Sequence, residues 1–424
     1  MPQTSHNTPI PAFIMLADGY IARGRQIGKP GTTLGKLVFN TSMMGYQEIL
    51  TDPSYAGEII TFTFPLIGIY GVAEGDHQSR QVFARGVVVS ELNATSDNWR
   101  ADRTLNDMLM HQGVTGISGV DTRRLTRHLR EQGEMPGIIT SELSVEEARK
   151  RLAEAPDFGS VDFVSEVTTP QAYEVPAIAP DATRFGAVDN PRSDITMYSG
   201  REFTVAAYDF GIKRGILDCL AQRGCTVHVF PSSATADELL AVRPDGIFLS
   251  NGPGDPERMD YVLPHIQQLC ENLPVFGICL GHQLIARAMG LPTYKLKFGN
   301  RGGNHPVLDL TDGRVHISAQ NHSYAVALAD GAQGRPAAAA DGRERRPLGD
   351  DRPTGPYAHP MNPRVLVTHL NVNDGSCEGL MLADRPVFSV QYHPEGSPGP
   401  RDNTYLFDNF CRNMEAAQGA AVGG

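Results

Sequence analysis

Residues Phe276-Gly277-Ile278-Cys279-Leu280-Gly281-His282-Gln283 decide the fold. With Pro274 and Val275 before them, the run to Ile278 reads as a short buried strand, and Leu280, Leu284, Ile285 and Met289 then recur at helical spacing. Cys279 therefore falls on the turn between strand and helix. A tight turn between Gly277 and Gly281 holds the side chain out of the sheet, and the helix N-terminus beside it favours negative charge. Both effects suit a thiolate nucleophile. A lone cysteine proves little, because buried structural cysteines are common, so its partners decide.

Far downstream lies Pro386-Val387-Phe388-Ser389-Val390-Gln391-Tyr392-His393-Pro394-Glu395, an alternating strand that ends in histidine, proline and glutamate. Residues i and i+2 of an extended segment point to one side, so His393 and Glu395 can project together. The carboxylate would fix the tautomer of an imidazole that takes the thiol proton and later gives it to a leaving amine. A third stretch, Gly246-Ile247-Phe248-Leu249-Ser250-Asn251-Gly252-Pro253-Gly254-Asp255-Pro256, is a strand running into a glycine-rich loop. Glycine lets a backbone amide approach a ligand closely, as a tetrahedral oxyanion requires. The Gly252 and Leu280 amides are the expected oxyanion donors. By itself the loop could be an ordinary turn; three such stretches in this order point to a Cys-His-Glu catalytic set.

With these residues the second half resembles a glutamine amidotransferase domain of the Cys-His-Glu triad type. A finer resemblance, to the small subunits of carbamoyl phosphate synthetase, rests on Phe39-Asn40-Thr41-Ser42-Met43, Gly45-Tyr46-Gln47-Glu48-Ile49-Leu50-Thr51-Asp52-Pro53-Ser54, Asp121-Thr122-Arg123 and Phe298-Gly299-Asn300-Arg301-Gly302-Gly303-Asn304-His305-Pro306. It spans nearly the whole chain apart from the ends, the 171–202 region and 328–362. The resemblance implies that Ser54, Gly254, Gln283, Asn321, Ser323 and Tyr324 contact the substrate L-glutamine. Asp-Pro-Ser on its own is only a turn signal, so resemblance alone supports Ser54. Gln283 also lies one helical turn after Cys279 and faces the same side. The family pattern has glycine and phenylalanine where this chain has Ser323 and Tyr324. Backbone contacts survive that change provided position 323 does not demand a positive φ. His282, His305 and His322 read as packed or surface histidines rather than bases.

The chain has 424 residues and a formal net charge of −11 with no long basic run, which disfavours nucleic acid and anionic membrane as partners. No stretch approaches membrane-spanning length, and the start of the chain lacks the features of a signal peptide. Six cysteines, at positions 219, 225, 270, 279, 377 and 411, lack CxxC pairing and fit a reducing cytoplasm.

The expected organisation is a mixed α/β N-terminal domain over 1–170, a linker over 171–202, an amidotransferase domain over 203–415 and a flexible tail over 416–424. In the first domain, strands are expected over 13–16, 37–39, 58–64 and 81–89. Helices are expected around Leu105–Leu109 and Leu125–Leu129, and a capping box at Ser144 to Glu147 opens a third. Arginines 123, 124, 127 and 130 form a solvated helix side or one that faces a partner. The second domain alternates strand and helix from Phe203 to Cys279, which argues a doubly wound, largely parallel sheet with its site at the carboxyl ends of strands. Residues 328–362, with Ala337–Ala340 and much Arg, Asp, Gly and Pro, read as a flexible insertion, either a lineage-specific loop or partly unfaithful coding sequence.

The leading expectation is a glutaminase subunit acting through a Cys279 thioester, with no metal and no cofactor in this chain. No phosphate-binding P-loop pattern occurs. The resemblance places ATP and Mg2+ on a large synthetase partner in a heterodimer, which makes carbamoyl phosphate from bicarbonate for pyrimidine and arginine synthesis. Two alternatives stand beside it: a glutaminase for another synthase, such as the anthranilate or aminodeoxychorismate type, and a catalytically silent assembly subunit.

Overall fold

The computed structural model describes residues 9–178, 202–328 and 353–422. The chain divides into two units, Met1–Ser160 and Val161–Gly424.

In the first unit seven strands close into a barrel. Around it run Pro11–Leu16, Ile21–Gly28, Thr115–Ser118, Gly86–Val88, Glu58–Phe62, Thr32–Asn40 and Met135–Thr140, the last pairing back to the first. Closure leaves no open sheet edge. On the face of the strands turned to the helices, Val38, Ile60 and Val87 pack with Ile49, Leu50, Leu105 and Leu109 from helices Tyr46–Thr51 and Leu105–His111. Helix Thr122–Gln132 buries Leu125 and Leu129 and leaves arginines 123, 124, 127 and 130 exposed. The capping box holds: the Ser144 hydroxyl accepts from the Glu147 amide, and the Ser144 amide donates to Glu147 Oε2 at 2.8 Å. The strand expected over 81–89 is confined to Gly86–Val88.

The second unit is built on one twisted sheet. Its parallel half runs in the order Cys225–Pro231, Phe203–Asp209, Gly246–Leu249, Val275–Ile278 and Val387–Val390. The central strands Gly246–Leu249 and Val275–Ile278 are apolar and buried throughout because helices cover both faces. Ala236–Ala241, Leu263–Asn272 and Leu280–Ala288 pack on one face, and Arg214–Ala221 and Tyr405–Val422 on the other. Phe276 anchors the second layer, stacked on Phe388 with ring centroids 4.4 Å apart and edge-on to Phe407 at 5.6 Å. Beyond Val387–Val390 the sheet continues antiparallel through Cys377–Leu382, Asn362–Asn371, Thr293–Asp309 and Arg314–Val326. In the sequence Val365–His369 reads as a strand and Asp374-Gly375-Ser376 as a turn, and both fall in this extension, the first within Asn362–Asn371.

Several expected boundaries move. Residues 161–170 belong to the second unit, where the Thr169 amide donates to Asp209 Oδ2 at 2.7 Å. Within the expected linker, Tyr173–Val175 is an edge strand paired antiparallel with Val227–Val229; residues 179–201 lie outside the described residues. Within the expected insertion, Tyr357–His359 pairs with Asn362–Asn371 around a tight turn, while 329–352 lie outside the described residues. The expected tail is helical through Val422, because Phe407, Phe410 and Met414 seat that helix on the sheet.

Candidate active site

The carboxyl ends of the parallel strands bring the site together. Cys279 follows Val275–Ile278 and takes φ 54° and ψ −103°, an unusual backbone for a residue with a side chain. Among the described residues only Arg243 shares a positive φ without being glycine. Such a conformation costs about 1–3 kcal/mol and persists where the surroundings over-determine it. Here they do. The Cys279 amide donates to Val390 O at 2.9 Å, and its carbonyl accepts from the Gln283 amide at 3.1 Å. Next to it, a Cβ on Gly281 would lie 2.2 Å from Leu249 O, so only glycine permits this approach of helix to strand.

His393 and Glu395 follow the neighbouring strand and do project together, with Nδ1 2.8 Å from Glu395 Oε1. The His393 amide donates to Ala319 O at 2.8 Å. Lys213 completes the row: its Nζ donates to the same Glu395 Oε1 at 2.8 Å. All three side chains are at most 3% exposed. Burial alone would push the His393 imidazole down, but Glu395 and the nearby Cys279 thiol outweigh it and hold the ring up at about 10. Burial would raise Glu395, yet Lys213 and His393 hold it down at about 2. Lys213 thus balances the Glu395 charge, and the imidazolium charge is left for an anion forming at Cys279. His393 Nε2 is buried and makes no aligned hydrogen bond among the described residues, a loose geometry common before substrate binds.

Gly252 lies against the Leu280 side chain and the Phe210 backbone: a Cβ there would meet Leu280 Cδ2 at 2.8 Å and Phe210 O at 2.3 Å. The Leu280 amide opens its helix, where N–H groups lack an intrahelical carbonyl. Gly254 follows in the same loop at φ 91°.

Gln283 is buried, and its Nε2 donates to Tyr324 O at 2.9 Å and to Gln391 Oε1 at 3.0 Å. Asn321 lies on strand Arg314–Val326, and its carbonyl accepts from the Cys279 thiol at 3.6 Å. Two residues on, Ser323 keeps a negative φ, so its backbone survives the exchange of glycine for serine. Its hydroxyl also accepts from the Arg301 guanidinium at 2.6 Å. The second unit therefore gathers Cys279, His393, Glu395, Gly252, Gly254, Leu280, Gln283, Asn321, Ser323 and Tyr324. Ser54 lies in the first unit on the turn Pro53–Tyr55, its amide donating to Asp52 Oδ1 at 2.9 Å.

His282 is packed against Ser389 Oγ at 2.9 Å, and burial pushes its imidazole down to about 3. Among the described residues one group, Asp309, Asp312 and His316, could hold a metal ion. Asp309 already accepts from Tyr405 at 2.8 Å and Thr311 at 2.6 Å. No helix among the described residues is long and apolar enough to cross a membrane.

Residues 14–139 match the family model "Carbamoyl-phosphate synthase small chain, CPSase domain", and residues 206–342 with 357–413 match "Glutamine amidotransferase class-I". The chain is 44% identical to the carbamoyl phosphate synthase small chain of Syntrophotalea carbinolica, over 95% of this chain and 98% of that one. It belongs to the carbamoyl phosphate synthase small chain family. The Streptomyces coelicolor small chain is 42% identical over 97% of each chain, and the chloroplastic small chain of Arabidopsis thaliana is 41% identical over 98% of this chain and 87% of its own. In this small chain the break between the two amidotransferase segments, 343–356, falls inside the expected insertion. Lys213 escaped the sequence reading. Its position, four residues past the end of strand Phe203–Asp209, is the one signal that could have flagged it.

Proposed function

We propose that the chain is the glutaminase subunit of carbamoyl phosphate synthetase and that Cys279, His393 and Glu395 carry the chemistry. The reading rests on the buried row Cys279, His393, Glu395 and Lys213 at the strand ends of a chain that carries both family domains. The thiolate sulfur attacks the side-chain amide carbon of glutamine, and the oxygen takes the negative charge between the Gly252 and Leu280 amides. His393 gives its proton to the departing nitrogen, which leaves as ammonia, and a γ-glutamyl thioester remains on Cys279. Water then attacks, His393 takes the water proton, and glutamate is released. Ser54, Gly254, Gln283, Asn321, Ser323 and Tyr324 hold the substrate. Ammonia passes to a large subunit that holds ATP and Mg2+ and converts bicarbonate to carbamoyl phosphate, the two chains forming a heterodimer with no nucleic acid or membrane partner. Six free thiols favour a reducing compartment, for which we propose the cytoplasm.

The test is glutamine hydrolysis and carbamoyl phosphate formation by the chain with its cognate large subunit. Glutamine-dependent synthesis should disappear in Cys279→Ser while ammonia-dependent synthesis continues. Hydrolysis without coupled synthesis would move the chain to another synthase. Indifference to Cys279→Ser would mark a silent subunit.

A further inference from the structure

Behind the strand that carries Asn321, Ser323 and Tyr324 lies a carboxyl group that the chemistry above does not use. Glu378 is on strand Cys377–Leu382 and is fully buried. Its Oε1 accepts from Asn371 Nδ2 at 2.8 Å, its Oε2 accepts from Gln320 Nε2 at 3.0 Å, and its backbone carbonyl accepts from the Gln391 amide at 2.9 Å. No lysine or arginine pairs with it among the described residues. The ring that faces it is His322, whose Nε2 stands 3.9 Å from Oε1.

The tautomer of His322 follows from its other nitrogen. Nδ1 is 2.7 Å from Tyr324 O, and a carbonyl can only accept, so Nδ1 carries a proton. Nε2 is buried without a hydrogen-bond partner. In a neutral ring Nε2 is an acceptor that lacks a donor, and a protonated Glu378 faces it from 3.9 Å, one small side-chain shift short of hydrogen-bond distance. An ionised pair is the alternative, but both groups are buried, and burial disfavours both charged forms: it pushes Glu378 up to about 8 and His322 down to about 3.

The strand has reason to need such an anchor. Arg314–Val326 is the last strand of the sheet, paired along one side with Thr293–Asp309 and bridged on the other at Ala319–His393. Around the substrate segment that pairing shrinks to Asn300–His322, Arg301–Asn321 and Gly302–Gln320, with register shifts on both sides. Three rungs between two irregularities define an edge strand weakly, so side chains must hold it.

We propose that Glu378 is a positioning residue for the glutaminase site: as a neutral carboxylic acid it presents its proton to His322 Nε2, accepts from Gln320 and Asn371, and so fixes the edge strand that bears Asn321, Ser323 and Tyr324. This rests on the glutaminase reading. The triad has anchors of its own in the Cys279 turn and Lys213 and touches this strand only through the His393 amide on Ala319 O and the Cys279 thiol on Asn321 O, so the effect falls mainly on glutamine binding.

The experiment compares wild type, Glu378→Gln and Glu378→Leu, each in complex with the large subunit, by steady-state glutaminase kinetics. Glutamine keeps the acceptor that Gln320 uses and an uncharged N–H donor toward His322 but gives up the acceptor that Asn371 uses, so E378Q should raise KM by no more than about 3-fold. E378L offers neither and should raise KM at least about 10-fold with kcat within about 3-fold. Should E378L fail to fold, E378Q still decides, together with 15N spectra of histidine-labelled chain in which the His322 signals, assigned by their loss in His322→Asn, report a neutral Nδ1–H ring. A folded E378Q with KM raised as much as in E378L, an unchanged KM in E378L, or an imidazolium signature for His322 overturns the proposal. An inactive wild-type complex would instead overturn the glutaminase reading.

Discussion

Gly281→Ala tests whether the Cys279 turn is as tightly determined as its geometry indicates. The added Cβ would meet Leu249 O at 2.2 Å and Leu249 C at 2.7 Å, against ordinary contact beyond 3.4 Å, so about 1.2 Å of separation must be found. Leu249 cannot supply it, because its strand is hydrogen-bonded on both sides, to Tyr208 and to Gly277. The start of helix Leu280–Ala288 must move instead, stretching the 3.0 Å bond from the Gly281 amide to Ser250 O. That movement carries the Leu280 amide and Cys279 away from the developing oxyanion. A misplacement of about 1 Å costs on the order of 10²-fold, and losing one oxyanion donor about 10²- to 10³-fold. Glutaminase kcat should therefore fall by about 10²- to 10³-fold with a small change in KM, and urea unfolding should show a loss of about 1–3 kcal/mol from overpacking. Gly419→Ala, in open space on the C-terminal helix, is the control and should leave kcat unchanged while raising stability by up to about 1 kcal/mol. A G281A enzyme within about 3-fold of wild-type kcat would refute the reasoning.

Two further outcomes follow from the buried charges. Lys213→Met leaves Glu395 with His393 as its remaining cationic partner and should lower stability by about 1.5–3 kcal/mol, along with kcat. Glu395 is held at about 2, below its usual 4.5, so its contribution is present above about pH 4.5 and is lost as pH falls towards 2. In K213M the folded value rises towards 4.5, so that acid-side loss should be smaller and end at a higher pH in urea titrations; an unchanged profile would separate Lys213 from Glu395. His282 is held down at about 3 from 6.5, so the stability it confers is present above pH 6.5 and declines as pH falls towards 3. His282→Asn should flatten this decline by about one proton, ~1.4 kcal/mol per pH unit, and an equally steep profile would count against a neutral buried ring.

The grouping of Cys279, His393 and Glu395 at the strand ends was legible because its signals are local. A strand-to-helix turn between two glycines and an i, i+2 pair at a strand end can each be read without knowing what lies across the fold. Lys213 and Glu378 gave no such signal, since their partners are 182 and 58 residues away, at Glu395 and Gln320. The parallel strands were readable as apolar runs. Thr293–Asp309 was not, because Gly299, Gly302, Gly303 and Pro306 interrupt it, and its ladder shifts register twice. Ile21–Gly28 escaped for a different reason: arginines at 23 and 25 alternate with small residues, and only its last two positions are fully buried.

The backbone of Cys279 carries an evolutionary corollary. At φ 54° and ψ −103° glycine is the residue of least strain, so Cys279→Gly should relieve part of the ~1–3 kcal/mol held there while removing the nucleophile. Selection for stability and selection for turnover thus pull this one position in opposite directions. A descendant lineage that kept the chain only as scaffolding would be free to drift there, and the turn would be among the first places to record that activity had been given up.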